Sequence, residues 1–336
     1  MSYLVRRAPR DAPTLFRKMK RKILLFGKHG QIGRELTHLL RTLGSVTPWD
    51  REDLDLCVPD DIRRGIRSAA PDLIVNAAAY TAVDGAETDE STAFALNAQA
   101  PGVMAEEAKS VGALLVHYST DYVFDGTKNS PYVEEDQANP QNAYGRTKLA
   151  GERAIIESRA SHLIFRTEWI YAREGKNFLL TILRLATERE ELRIVQDQIG
   201  SPTWSRAVAE ATTEVLARVF SPANDTGPLS ELSGIYHMTA AGQTSWYEFA
   251  RLILDKAMRR TPRAPWFASA TGGKPLITRR VIPTTSAEYP TPARRPAYSV
   301  LSNARLARVF GIQLPDWQTQ LHSMFDDQGG DVSPSE

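Results

Sequence analysis

The sequence predicts a doubly wound α/β fold, a parallel sheet followed by a smaller C-terminal lobe. Three observations carry that prediction. Short apolar runs alternate with helical patterns through the first half of the chain. The first run ends in a glycine-rich turn that opens a helix. Beyond residue 166 the pattern loosens into shorter elements punctuated by proline and glycine.

The first strand is Lys22-Ile23-Leu24-Leu25-Phe26, an apolar run with the character of a strand buried on both faces. Gly27-Lys28-His29-Gly30-Gln31-Ile32-Gly33 follows, and a helical pattern then runs through Leu36, Leu39 and Leu40. Glycines at such a turn let the backbone approach a pyrophosphate, which meets the positive end of the helix. Their spacing is Gly-x2-Gly-x2-Gly rather than the Gly-x-Gly-x2-Gly of many dehydrogenases. Gly27, His29, Gly30, Gln31, Ile32 and Gly33 are therefore candidate contacts for a dinucleotide.

Residues 45–49 read as a second strand ending at Asp50-Arg51. An acid there suits the adenosine ribose hydroxyls, and an adjacent arginine suits a 2′-phosphate, so NADH and NADPH both remain open. Asp55 and Leu56 are candidates on the adenine side. Residues 71–79 form a third strand whose exit, Ala77-Ala78-Ala79 and then Tyr80, is small enough for a cofactor to lie against the backbone. A helical stretch at 87–111 leads to a fourth strand at 113–120, ending in Ser119-Thr120. In such sheets ligands bind at the carboxyl ends of the strands, where Gly27, Ala77 and Thr120 all fall.

A loop at 121–140 precedes a helix carrying Tyr144 and Lys148, and 161–167 is a fifth strand. Residues 198–203 and 234–237 are shorter elements of the looser half, and the proline-rich stretch 287–296 reads as an ordered loop. The implied division is an N-terminal extension at 1–20, a dinucleotide-binding domain at 21–166 to which later segments return, a substrate-binding lobe at 167–325, and a tail at 326–336. The extension holds six Lys/Arg and one Asp without an apolar core, so a chain begun at Met19 is expected to fold and work normally.

Composition narrows the function class. The charges nearly cancel, with 41 Lys/Arg against 40 Asp/Glu, which gives no basic surface for nucleic acid. No apolar run reaches the length of a membrane span. Cys57 is the single cysteine, so no intramolecular disulfide forms, as suits a reducing, cytoplasmic compartment. The six histidines are scattered without metal-ligand spacing.

Tyr144 and Lys148 are the most telling pair. Four residues apart on a helix, they share a face about 6 Å apart along the axis. An ammonium beside a phenol is expected to pull the phenol below its usual value of about 10. No other tyrosine in the chain has a lysine four residues on. With Thr120 at the end of the preceding strand, the set suits reduction of a carbonyl. Thr120 would hydrogen-bond the carbonyl oxygen, Tyr144 would protonate it, and Lys148 would hold the nicotinamide ribose.

These features resemble the extended short-chain dehydrogenase/reductases, and within them the family of dTDP-4-dehydrorhamnose reductases. The resemblance runs from Lys22 to about Met324 through blocks in order. They include Val75-Asn76-Ala77-Ala78-Ala79-Tyr80-Thr81-Ala82-Val83-Asp84, Ser119-Thr120-Asp121-Tyr122-Val123-Phe124-Asp125-Gly126, Tyr236-His237, Gly242 with Ser245-Trp246, and Tyr289-Pro290-Thr291-Pro292-Ala293-Arg294-Arg295-Pro296. The resemblance implies NAD(P)H-dependent reduction of the C4 ketone of dTDP-4-dehydro-β-L-rhamnose. It makes Thr120, Tyr144 and Lys148 catalytic. It places Val83, Asp84, Tyr122, Phe124 and Trp169 on the sugar or nicotinamide side, with Arg295 at the diphosphate.

Related 4,6-dehydratases read Thr-Asp-Glu where this chain reads Thr120-Asp121-Tyr122, and a phenol in place of a carboxylate removes half of their acid/base pair. Glu168 stands where a small serine is more usual. Some members bridge a dimer through Mg²⁺ held by glutamates; Glu35 matches one such position, but Ser205-Arg206-Ala207-Val208 offers no evident acidic partner, so Mg²⁺ is possible but not predicted. Two other functions stay open: reduction of a different nucleotide 4-ketosugar, and a non-catalytic NADP-binding role like the regulatory subunit of methionine adenosyltransferase.

Overall fold

A computed structural model describes residues 21–221, 229–259 and 264–326. The expected extension at 1–20 and the tail beyond 326 lie outside the described residues. Six parallel strands form the sheet: β1 (Arg21–Phe26), β2 (Gly44–Trp49), β3 (Leu73–Asn76), β4 (Leu114–Thr120), β5 (His162–Thr167) and β6 (Gly234–His237). Their spatial order is β6-β5-β4-β3-β1-β2. The chain leaves β1 toward β2, then returns to the other side of β1 as β3. The order therefore reverses between β1 and β3, which is where such sheets open a ligand crevice.

Both faces of the four central strands, β1, β3, β4 and β5, are buried, which is why they read as continuous apolar runs. Ile23, Leu25, Leu73, Val75, Leu114, Val116, Leu163 and Phe165 point into one core. Leu24, Phe26, Ile74, Leu115 and Ile164 point into the other. The second core is covered by α2 (Pro59–Ala69), α3 (Ala100–Val111) and α4 (Ala143–Ser158), which pack on one another in that order. On the first, α1 (Gln31–Leu39) packs against the later α6 (Ser205–Val219). That core continues into α5 (Phe178–Ala186), α7 (Trp246–Arg259) and α8 (Trp317–Asp326) of the looser half.

Three elements differ from the sequence reading. Helix α2 was not anticipated, although Pro59 at its first turn, Asp60 and Asp61 beside it, and buried Ile62 and Ile66 are ordinary helix signals. The stretch 87–111 is broken by a π-helical turn at Ala95–Gln99. That turn aims Asn97 at the exit of β3, where it accepts the Tyr80 N–H (2.9 Å) and donates to the Tyr80 carbonyl (3.1 Å) and to Thr147 of α4 (3.1 Å). Residues 234–237 are β6, an edge strand of the main sheet. Among the described residues, no helix is long and apolar enough to cross a membrane.

Candidate active site

The carboxyl ends of β1, β3 and β4 and the start of α4 converge on one crevice. At its β1 side Gly27 has φ +85°, a conformation that favours glycine, and a side chain there would strike the Ala78 nitrogen at 2.7 Å. The turn is pinned to β2 by the Gly27 N–H on the Trp49 carbonyl (2.8 Å). Gly30 caps α1 without any side-chain hydrogen bond, so the first-turn N–H groups of Gln31, Ile32 and Gly33 have no side-chain acceptor. A glycine cradle ending in uncapped N–H groups fits a dinucleotide pyrophosphate.

The predicted adenosine residues are only partly gathered there. Asp50 Oδ2 meets His29 Nε2 at 2.7 Å and lies 3.7 Å from Lys28 Nζ. Lys28, which the sequence reading passed over, also bonds Asp53 (2.6 Å). Arg51 is exposed beside them. Asp55 instead accepts the Cys57 N–H in its own turn (2.8 Å), and Leu56 packs toward the second core.

At the other end, Tyr144 sits one residue into α4, whose N-cap is Asn142 accepting the Gly145 N–H (2.8 Å). A side chain at Gly145 would run into the Tyr122 carbonyl, so this glycine lets α4 begin against the loop after β4. The two phenols consequently meet edge to face, with centroids 5.6 Å apart. The Thr120 hydroxyl acts on the Tyr144 phenol, favouring its ionised form. It also donates to Asp121 Oδ1 (2.9 Å) and accepts the Tyr122 N–H (3.2 Å).

The expected electrostatics of Tyr144 and Lys148 need correcting. Lys148 is 1% exposed, and its Nζ turns across to β4, donating to the Tyr118 carbonyl (2.6 Å) and meeting His117 Nε2 (3.1 Å). Burial pulls this lysine down to about 8, with the Glu152 charge opposing. Tyr144 is pushed up, not down: burial dominates, the Thr120 hydrogen bond opposes it, and the Asp121 charge adds to it. Sequence spacing found the pair but not His117 or Asn76, which bond each other across β3 and β4 (3.1 Å) behind the lysine.

Of the predicted sugar-side residues, Asp84, Tyr122 and Arg295 come together. Arg295 makes a two-pronged bond to Asp84 (3.1 and 2.8 Å) and acts on the Tyr122 phenol. Its guanidinium is thus committed within the cleft wall. Asp84 also accepts the Ala293 N–H (3.1 Å), and Arg295 holds its carboxyl below the usual range. Val83 opens the short helix that carries Asp84. Trp169, with φ +46°, stacks on Trp246 at 3.5 Å and stays partly exposed. Phe124 is not brought to the cleft surface; it is 1% exposed, stacked on Tyr132 (4.2 Å) beneath Arg166.

A doubly wound sheet with a glycine turn after β1, a threonine ending β4 and Tyr-x3-Lys opening the next helix defines a short-chain dehydrogenase/reductase of the extended type. The sequence matches the family described as RmlD substrate binding domain over residues 21–329. It is 51% identical over 297 residues to the dTDP-4-dehydrorhamnose reductase of Burkholderia thailandensis, spanning 88% of this chain and 95% of that protein. The Escherichia coli K12 enzyme of the same name is 42% identical, over 91% of this chain and 97% of its own. The crystal structure of the Bacillus anthracis dTDP-4-dehydrorhamnose reductase in complex with NADP superposes with a TM-score of 0.79 at 32% identity, covering 91% of this chain and 99% of that one. The chain belongs to the dTDP-4-dehydrorhamnose reductase family.

Proposed function

We infer that the protein reduces the C4 ketone of dTDP-4-dehydro-β-L-rhamnose to dTDP-β-L-rhamnose, drawing on NADPH or NADH. The observation that supports this most is the meeting of Thr120, Tyr122 and Tyr144 across the crevice from the glycine cradle. Gly27, Gly30 and the uncapped first turn of α1 would hold the pyrophosphate, and Ala77–Ala79 would flank it. A reduced nicotinamide bound there supplies the hydride. The chain's own work is to orient the ketone and manage the proton. Tyr144, kept protonated by its burial, donates its phenolic proton to the C4 oxygen as negative charge develops there. Thr120 positions that oxygen. Lys148, anchored on β4, faces the ribose side. Asp84, Arg295 and Tyr122 form a fixed polar wall for the sugar nucleotide, with Val83 and Trp169 beside it.

The one cysteine, Cys57, is an exposed free thiol, in keeping with a cytoplasmic setting. The test is a coupled assay from dTDP-glucose with the upstream dehydratase and epimerase, run with NADPH and NADH in parallel. Cofactor oxidation that requires the ketosugar and yields dTDP-rhamnose is expected. Cofactor binding without ketosugar-dependent turnover would support a non-catalytic regulatory role instead.

A further inference from the structure

Thr120 has one hydroxyl proton and two claims upon it. In the proposed reduction that proton goes to the substrate oxygen. In the structure it is directed at Asp121 Oδ1. An ionised Asp121 can only accept, and would hold the proton away from the substrate. A protonated Asp121 can reverse the bond: its O–H donates to the threonine oxygen and leaves the threonine O–H free to turn to the ketone.

The surroundings of Asp121 favour the neutral form. It is 2% exposed, and its Oδ2 has no hydrogen-bond partner. The groups facing it are the phenols of Tyr122 and Tyr144, the hydroxyls of Thr120 and Ser299, and the carboxyl of Glu168. Arg295 acts on Tyr122 but bonds Asp84 instead. Glu168 is equally buried, at 2% exposure. It accepts the N–H groups of Ser201 (3.0 Å) and Leu301 (3.2 Å) and the Ser299 hydroxyl (3.0 Å). Ser299 also acts on Asp121, but its one hydroxyl proton is given to Glu168. Two unneutralised charges in one dry site would be costly, and a proton held on Asp121 removes the conflict.

We propose that Asp121 serves as a neutral carboxylic acid beside Glu168, and that its proton, donated to the Thr120 oxygen, turns the Thr120 hydroxyl toward the substrate ketone. Asp121 is then a positioning residue, acting through Thr120. Burial pushes its carboxyl up to about 7, and burial followed by the Asp121 charge holds Glu168 well above the ordinary range. The inference rests on the reductase reading above, in which Thr120 is the donor to the ketone.

The test is the pH dependence of kcat with saturating ketosugar, in the wild type, Asp121→Asn and Glu168→Gln. Loss of the Asp121 proton should make wild-type activity fall as pH rises through about 7. Asp121→Asn presents an amide N–H to Thr120 at every pH. It should keep kcat within about fivefold of wild type at pH 6 and lose that fall. Glu168→Gln removes the neighbouring charge that favours a neutral Asp121, so its fall should move to lower pH. Because Lys148 lies only about one unit higher, the variants rather than the wild-type profile identify the group.

Melting curves and cofactor fluorescence quenching establish that each variant is folded. An active wild type whose profile is unchanged in both variants overturns this inference alone. So does an Asp121→Asn enzyme as impaired as Thr120→Val. A wild type with no ketosugar-dependent turnover overturns the reductase reading, and this inference with it.

Discussion

Lys28 and Lys148 lie at opposite ends of the same crevice, and their surroundings push the same ammonium in opposite directions. Lys28 faces solvent, and its bond to Asp53 favours its charge, raising the lysine and lowering the aspartate. Lys148 is enclosed by β4, and burial pulls it down to about 8. The acids differ in the same way, with Asp53 held low in the open and Asp121 pushed up to about 7 inside. The cofactor end of the crevice is charged and wet, whereas at the reaction end Thr120, Asp121 and Lys148 are buried and the charges are tied up in ion pairs. Polar bonds gain strength where water is excluded, so this division puts the strongest proton control beside Tyr144.

The contrast can be broken first at its buried ion pair. Glu152 of α4 and Arg166 of β5 form a two-pronged bond (2.9 and 2.7 Å) with both side chains at most 4% exposed. Glu152→Ala strands the guanidinium and should cost about 3–5 kcal/mol of stability, read from urea denaturation. A loss no larger than that of an exposed pair would mean that water reaches this end.

Thr120→Val removes the positioning hydroxyl at nearly constant volume. A fall in kcat of about 10²–10³-fold with unchanged cofactor affinity is expected; a purely structural threonine would leave kcat within a few fold.

Stability against pH gives a third check. Asp121 and Glu168 have folded-state values above those of an unfolded carboxyl. Their contribution is therefore complete below about pH 4, and that of Asp121 is lost as pH rises through about 7. Urea midpoints should decline over that window, and Asp121→Asn should flatten the decline. The smallest effect belongs to the wet end. Lys28→Met breaks an exposed pair that water screens, and the denaturation midpoint should not move.

Much of this was legible in the sequence because the signals are local. The apolar runs of β1, β3, β4 and β5 stand beside their own turns, and Thr120, Tyr144 and Lys148 follow from a strand end and a four-residue spacing. Strand β6 read only as a short punctuated element, because its partner, β5, lies some seventy residues earlier. Glu168 read as a mere departure from the family pattern. Its donors, Ser201, Ser299 and Leu301, lie 33, 131 and 133 residues away, beyond any local pattern. The same holds for His117 behind Lys148, 31 residues distant. Spacing could place the lysine on the right face of α4, but only the folded sheet shows that its charge is spent on β4 rather than on the phenol.

The most direct test of the account is Tyr144→Phe, followed through a single turnover with bound NADPH and the 4-ketosugar. The variant should bind cofactor like the wild type and lose about 10²–10⁴-fold in the rate of ketosugar-dependent oxidation. An undiminished rate would show that the proton reaches the ketone by another route and would contradict the role assigned to Tyr144.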